Sequence, residues 1–278
     1  MLVKRILTSV CVIPILSVII WFGEPYLTIL VSLVGLLAAV EFYRLNNVIK
    51  EKNLTVFGII WILLLIAVRN PELQSLVTPY ISLDLLFPLI ITSGLVISLG
   101  ILLSRKQKQN AFVDWSWTLG GILYVGWLLS YVVALRALDD GKSWLFLAIF
   151  ATFGSDSAAF FIGRAIGKHK LTPAISPKKT WEGAVGGLLG AIAVSLLFLL
   201  PTSVQLSAYL NWWQMIILGL LISLFGQQGD LVESLLKRNT GVKDSGNFFP
   251  GHGGFLDRID SIIFAVVVVY YWVLWSIY

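Results

Sequence analysis

GQQGDLVESLLKRNTGVKDSGNFFPGHGGFLDRID, residues 226 to 260, is a polar island between two long apolar runs. It holds Asp230, Glu233, Lys237, Arg238, Lys243, Asp244, Asp257, Arg258 and Asp260, in a chain of 278 residues with only 20 Lys and Arg and 15 Asp and Glu. Taking charge out of water is costly, so ionisable residues clustered between apolar runs read as a functional site. Asp230, Glu233, Ser234 and Lys237 fall at i, i+3, i+4 and i+7 and share one helix face. Asn239 to Gly241 supplies a stop, and Gly246, Pro250, Gly251, Gly253 and Gly254 keep the chain out of helix until Asp257.

Outward from this stretch the chain is too apolar for a soluble domain: 58% hydrophobic, 13% charged, mean hydropathy +0.87. A spanning helix needs about 20 mostly apolar residues. Candidates lie at 6–23, 25–43, 54–69, 83–103, 116–136, 144–163, 183–200, 212–229 and 260–277, predicting an all-α polytopic membrane protein of about nine transmembrane helices. Threading the loops alternately puts 17 of the 20 Lys and Arg on one side and leaves Arg69, Arg136 and Lys142 on the other. Basic residues mark the cytoplasmic side, so the N-terminus is expected in the cytoplasm, the C-terminus outside, and loops 164–182 and 230–259 in the cytosol. The polar segment 104–114 separates an N-terminal helical part, 1–110, from a catalytic part, 111–278, and its Lys and Arg are expected to meet anionic head groups. The net charge of +5 reflects this asymmetry and is no sign of nucleic-acid binding. Cys11 is the only cysteine, which excludes a disulfide framework and a Cys-based metal site. No small-residue cleavage site follows the first apolar segment, which reads as an anchor.

Carboxylates, basic residues and glycines used together suit transfer of a phosphorus group. Mg²⁺ takes one or two carboxylates plus phosphate oxygens, Lys and Arg offset the remaining charge, and glycines let backbone N–H groups come close. Asp156, between Ser155 and Ser157 in an apolar run, should face protein or water. Ser176-Pro177 reads as an N-cap and first helical residue, which sets Lys178 and Lys179 against the helix dipole; a bound anion would resolve that conflict. Gly183, Gly186, Gly187 and Gly190 have the small-xxx-small spacing of close helix packing, within one chain or in a homodimer. Glu41 and Arg44, three apart, are expected to pair, and His169 to be a surface residue.

In order, Ser234-x-x-Lys237-Arg238, Lys243-Asp244, Gly246, Pro250, His252-Gly253-Gly254, Asp257-Arg258 and Asp260 resemble the signature of the CDP-diacylglycerol synthase (phosphatidate cytidylyltransferase) family. The run Ser176-Pro177-Lys178-Lys179-Thr180-Trp181-Glu182-Gly183 is similar to that family too. The motifs lie within about residues 150–260, and the first half is similar only in hydropathy. The resemblance implies that CMP passes from CTP to phosphatidate with Mg²⁺, at the cytosolic face of a bacterial cytoplasmic membrane, in phospholipid biosynthesis. It implies Asp230 and Asp257 as metal ligands with Ser234 and Asp260 beside them, and Lys237, Arg238, Lys243 and Arg258 as phosphate partners. His252 would donate to phosphate and Asp244 complete the catalytic set, while Asp156, Ser176, Lys178, Lys179, Thr180, Gly253 and Gly254 would bind substrate. Two other readings stay open: a CTP-dependent polyprenol kinase, and a transporter using Asp156 and Asp230.

Overall fold

In lipid a backbone can satisfy its own polar groups only as helix or closed barrel, and this sequence takes the helical route. The computed structural model describes residues 14–45, 52–105, 109–246 and 253–277. In chain order these form α1 (14–22), α2 (Tyr26–Leu45), α3 (Lys52–Ala67), α4 (Pro71–Val77), α5 (Leu83–Leu103) and α6 (Ala111–Gly121). A π-helical turn, Ile122–Trp127, leads into α7 (Leu128–Arg136), followed by α8 (Gly141–Ile166) and a two-stranded antiparallel hairpin of β1 (Lys170–Thr172) and β2 (Ser176–Thr180). The chain then forms α9 (Trp181–Leu197), α10 (Trp212–Asn239) and α11 (Leu256–Ser276).

Among the described residues six helices are long and apolar enough to cross a membrane: α2, α5, the continuous α6 to α7 segment, α8, α10 and α11. The protein is a multi-pass, nearly all-α membrane protein. Three of the nine expected spans account for the difference. The segment expected at 54–69 is continued by α4, bent 91° from α3, where Asn70 caps the new helix by accepting from the Leu73 amide at 3.0 Å and Pro71 opens it; the bent pair counts as a seventh span at most. The segment expected at 183–200 ends at Leu197, a helix of 17 residues, short of the usual spanning length. Of the span expected at 6–23, residues 14–22 form α1, by itself too short to span, and residues 6–13 lie outside the described residues.

A core of fully buried Tyr131, Leu135, Trp144, Leu145, Leu147, Met215 and Leu218 joins α7, α8 and α10. Helix α9 lies against α8 through its glycines: a Cβ on Gly186 would press into Ile162, and one on Gly190 into Ala158 and Gly154. The small-xxx-small faces are thus used inside the chain.

Two ends of the bundle differ chemically. At one, the Arg136 guanidinium donates to the Ile20 carbonyl at 3.0 Å, the Lys142 ammonium sits 3.8 Å from the centre of the Trp21 ring, and the Asn70 amide donates to Glu24 and Thr28. The Arg69 guanidinium stacks on Phe87, Trp127 and Tyr131, 4.2 to 5.1 Å from their ring centres. At the other end stand the hairpin, the C-terminus of α10 and the N-terminus of α11. Arg105, expected at head groups, pairs there with Asp114 at 2.8 Å, both side chains buried, because Asp114 in the first turn of α6 is the nearer anion.

Candidate active site

Helix α10 runs past Asp230 to Asn239 and is closed by Thr240 and by Gly241, whose φ of +75° suits glycine. Its expected polar face is real: Ser234 donates to Asp230 at 3.4 Å, and Lys237 donates to Glu233 at 2.8 Å. The first turn of α11 then brings Asp257 to the same ammonium, 2.5 Å from Lys237 Nζ. The other Asp257 oxygen accepts from the Ser245 amide (3.0 Å), the Ser245 hydroxyl (2.8 Å) and the Gly254 amide (2.8 Å). Gly253 turns the chain into that amide with φ +84°, in the left-handed region.

Glu233, only 1% exposed, lies against the Asp257 and Asp260 carboxyls, so one ammonium serves a packed group of acids. Its Oε1 has no hydrogen-bond partner. Asp260, also buried, accepts from the Ser261 amide at 2.7 Å. Asp156 on α8 lies in the electrostatic field of Asp230, Asp260, Lys179 and Arg258, so it faces this site. From the π-helical turn Tyr124 packs its ring by Phe42 and Phe264, in the field of Asp260, Glu233 and Asp230.

The hairpin corrects one expectation. Ser176 to Thr180 is strand β2, with Thr172 opposite Ser176 and Lys170 opposite Thr180, and no helix begins at Pro177. Helix α9 starts at Trp181, and Thr180 caps it by accepting from the Gly183 amide at 3.2 Å. Lys178 is exposed and Lys179 forms an ion pair with Asp230 at 2.7 Å, so the supposed conflict of both lysines with a helix dipole does not arise. Arg238 ties the hairpin to α10 again, donating to the Ile175 carbonyl at 3.1 Å. His169 is exposed, as expected, with its ring Nδ1 2.7 Å from Glu182. The Glu182 carboxyl is held down to about 2, first by its own backbone amide and then by the His169 ring.

The structure therefore gathers Asp156, Lys179, Asp230, Ser234, Lys237, Gly254, Asp257, Arg258 and Asp260 around the α10–α11 junction. Lys243 and Asp244 are exposed on the connecting loop, and His252 lies outside the described residues. Ser176 belongs to the strand, and the Thr180 hydroxyl is occupied as a cap.

Two participants were not visible in advance. Glu41 does not turn to Arg44, which is exposed; its Oε2 accepts from the Leu256 amide at 3.0 Å and lies 3.2 Å from the Ser245 hydroxyl, whose one proton it shares with Asp257. The buried donors of a distant loop offer that carboxylate more than one exposed cation can. Tyr124 sits in an aromatic, apolar run with no local polar partner to mark it. The only local sign for Glu41 was an acid near the end of an otherwise apolar helix.

The sequence pattern described as the cytidylyltransferase family matches residues 3–276. The chain is 36% identical over 262 residues to a phosphatidate cytidylyltransferase of Staphylococcus haemolyticus (strain JCSC1435), covering 94% of this chain and 95% of that one. It is 34% identical over 269 residues to the protein of the same name from Bacillus subtilis (strain 168), covering 96% of each. A third so named, from Staphylococcus aureus (strain COL), is 34% identical over 262 residues, 94% of this chain and 95% of its own. With the pattern matched from residue 3 to residue 276, and such relatives matched over nearly their whole length, the chain belongs to the cytidylyltransferase family.

Proposed function

We propose that this chain is a phosphatidate cytidylyltransferase, a nucleotidyltransferase that moves CMP from CTP to phosphatidate and releases pyrophosphate, giving CDP-diacylglycerol for phospholipid biosynthesis. The observation that carries the reading is the pairing of Lys179 with Asp230 and of Lys237 with Glu233 and Asp257, which sets phosphate-binding cations and carboxylates side by side at one end of a membrane bundle. The relatives named above support it.

A phosphatidate oxygen bonds to the α-phosphorus of CTP while the bond from that phosphorus to the bridging oxygen breaks, its electron pair leaving with pyrophosphate. A phosphate monoester has a second pKa of about 6, so the attacking oxygen is already ionised and no strong base is required. The work left to the protein is to hold two polyanions in line and offset their charge. Lys179 and Lys237 do this by exchanging a carboxylate partner for a phosphate oxygen. Arg238, Lys243 and Arg258 line the approach, and Lys178, exposed on β2, meets the incoming anion. His252 donates to phosphate and Gly253 lets the backbone come close to it, with Asp244 a further member of the catalytic set.

The acid groups fit Mg²⁺. Asp156, Asp230, Glu233, Asp257 and Asp260 share the site with Lys179, Lys237 and Arg258, five acids to three bases, and the buried Glu233 Oε1 meets no donor. Among the described residues no three acids or histidines form a ready metal cage, which suits a cation that takes one or two carboxylates and completes its shell with phosphate. Asp230 and Asp257 would hold it, with Ser234 and Asp260 beside them. Bound there, Mg²⁺ would offset charge on the transferring phosphoryl group.

The site faces the cytosol of a bacterial cytoplasmic membrane in this reading: CTP is cytosolic, and 17 of 20 basic residues fall on the site's side of the nine-span threading, whose N-terminus is then inside and C-terminus outside. The test is purified, reconstituted protein given CTP labelled at the α- or the γ-phosphorus. Label should enter lipid from α-labelled CTP and require phosphatidate. Transfer of the γ-label alone would identify a lipid kinase, and no transfer of either would overturn the assignment.

A further inference from the structure

An acidic side chain on α2, Glu41, reaches into the signature loop. Helix α11 carries Asp257 and Asp260 but begins without a cap of its own: Phe255, at the N-cap position, offers no side-chain acceptor. The Leu256 amide, one of the donors that a helix start leaves open, is accepted instead by Glu41 Oε2 at 3.0 Å, from 215 residues away. We propose that Glu41 is a positioning residue for the transfer, capping α11 from α2 and so fixing where Asp257 and Asp260 stand against α10. This rests on the reading of the α10–α11 junction as the cytidylyltransferase site.

Three further observations support it. Ser245 hydrogen-bonds Asp257 at 2.8 Å and reaches Glu41 at 3.2 Å, so one hydroxyl lies between the two carboxylates. A Cβ at Gly246 or at Gly254 would run into the Glu41 carboxyl, so both glycines keep open the space that this acid occupies. Glu41 is only 8% exposed, and a buried carboxylate persists where donors satisfy it; a helix N-terminus is a favourable place for one. Capping from a different helix makes the position of α11 depend on α2. A misplacement of about 1 Å at a reacting centre can cost about a hundredfold in rate.

Glu41→Gln keeps an acceptor oxygen of the same reach and removes the charge; Glu41→Ala removes both. In full-length protein reconstituted in vesicles, incorporation of α-labelled CTP is measured against Mg²⁺ and against CTP. A supporting partner of metal ligands is worth about 10- to 100-fold in affinity or activity. Glu41→Gln, which keeps an acceptor, is expected to raise the Mg²⁺ concentration for half-maximal rate about tenfold, the lower end of that range, and Glu41→Ala to raise it further. A purely structural role would reduce the folded fraction and scale the rate, leaving both half-saturation points in place. The rise in melting temperature on adding Mg²⁺ without substrates is a second readout that needs no turnover. A smaller rise in Glu41→Gln supports the assignment. An unchanged rise with unchanged half-saturation overturns it, and Glu41→Gln decides the matter if Glu41→Ala does not fold. Absence of label transfer by the unaltered protein would count against the proposed function alone, since the melting readout would still test Glu41.

Discussion

At the residue scale the two proposed metal ligands differ in their surroundings. Asp257 is 8% exposed with donors on both oxygens, whereas Asp230 and Lys179 are 36% and 24% exposed. Asp→Asn preserves shape and removes charge, so turnover should fall about a hundredfold or more in either variant if each holds the cation. Stability should separate them. In Asp257→Asn, Lys237 keeps Glu233, but the buried hydrogen bonds to the Asp257 charge are weakened at a cost of about 1–3 kcal/mol, while the more exposed Lys179–Asp230 pair is worth about 0–1 kcal/mol. Asp257→Asn should therefore melt clearly lower and Asp230→Asn nearly unchanged, both measured alongside turnover at graded Mg²⁺. Wild-type turnover with ordinary metal dependence would remove that residue from the site. The Lys237 face could be read from the sequence because its members are four apart on one helix. Glu41 could not, because its partners lie 204 and 215 positions away and no local spacing encodes a contact of that separation.

At the element scale the helix starts and stops around the signature were legible: Thr240 and Gly241 close α10, and α11 begins at Leu256. The hairpin was misread because Ser-Pro fits a helix start and an edge strand equally well, and the deciding group, the Thr180 hydroxyl, lies four residues further on. Hydropathy marks the end of α3, because Arg69-Asn70-Pro71-Glu72 is polar, but it does not show that Asn70 caps a second helix turned 91° from the first. The α8–α9 contact makes a direct prediction. Gly190→Leu forces a side chain against Ala158 and Gly154, where overpacking costs about 1–3 kcal/mol, and should lower the melting temperature in detergent. Gly100→Leu is the control, since a Cβ there meets nothing within 4 Å. Equal melting temperatures for the two variants would mean that α9 does not depend on the glycine face.

Across the whole molecule the basic residues sort by company. Arg69, Arg136 and Lys142 are engaged by rings and carbonyls at the end away from the site, whereas Lys179 and Lys237 are held by carboxylates at the site. The expected orientation puts Gln205 outside and Lys178 in the cytosol, both exposed. With Cys11→Ser as background, Gln205→Cys should react with a membrane-impermeant thiol reagent in intact cells, and Lys178→Cys only after permeabilisation. The opposite pattern would invert the topology. One element also bears on how lipid reaches the site. Helix α9, 17 residues and so about 25 Å long, follows directly from β2 and its Lys179. If it crosses a hydrocarbon layer about 30 Å thick, as the nine-span threading requires, it is hydrophobically mismatched, and local thinning of the bilayer or a polar terminus sinking below the interface would meet the shortfall. With the proposed function, either response would shorten the climb of a phosphatidate head group to Lys179 and Asp230, so that the two-tailed substrate could be reached while its tails stay among their neighbours.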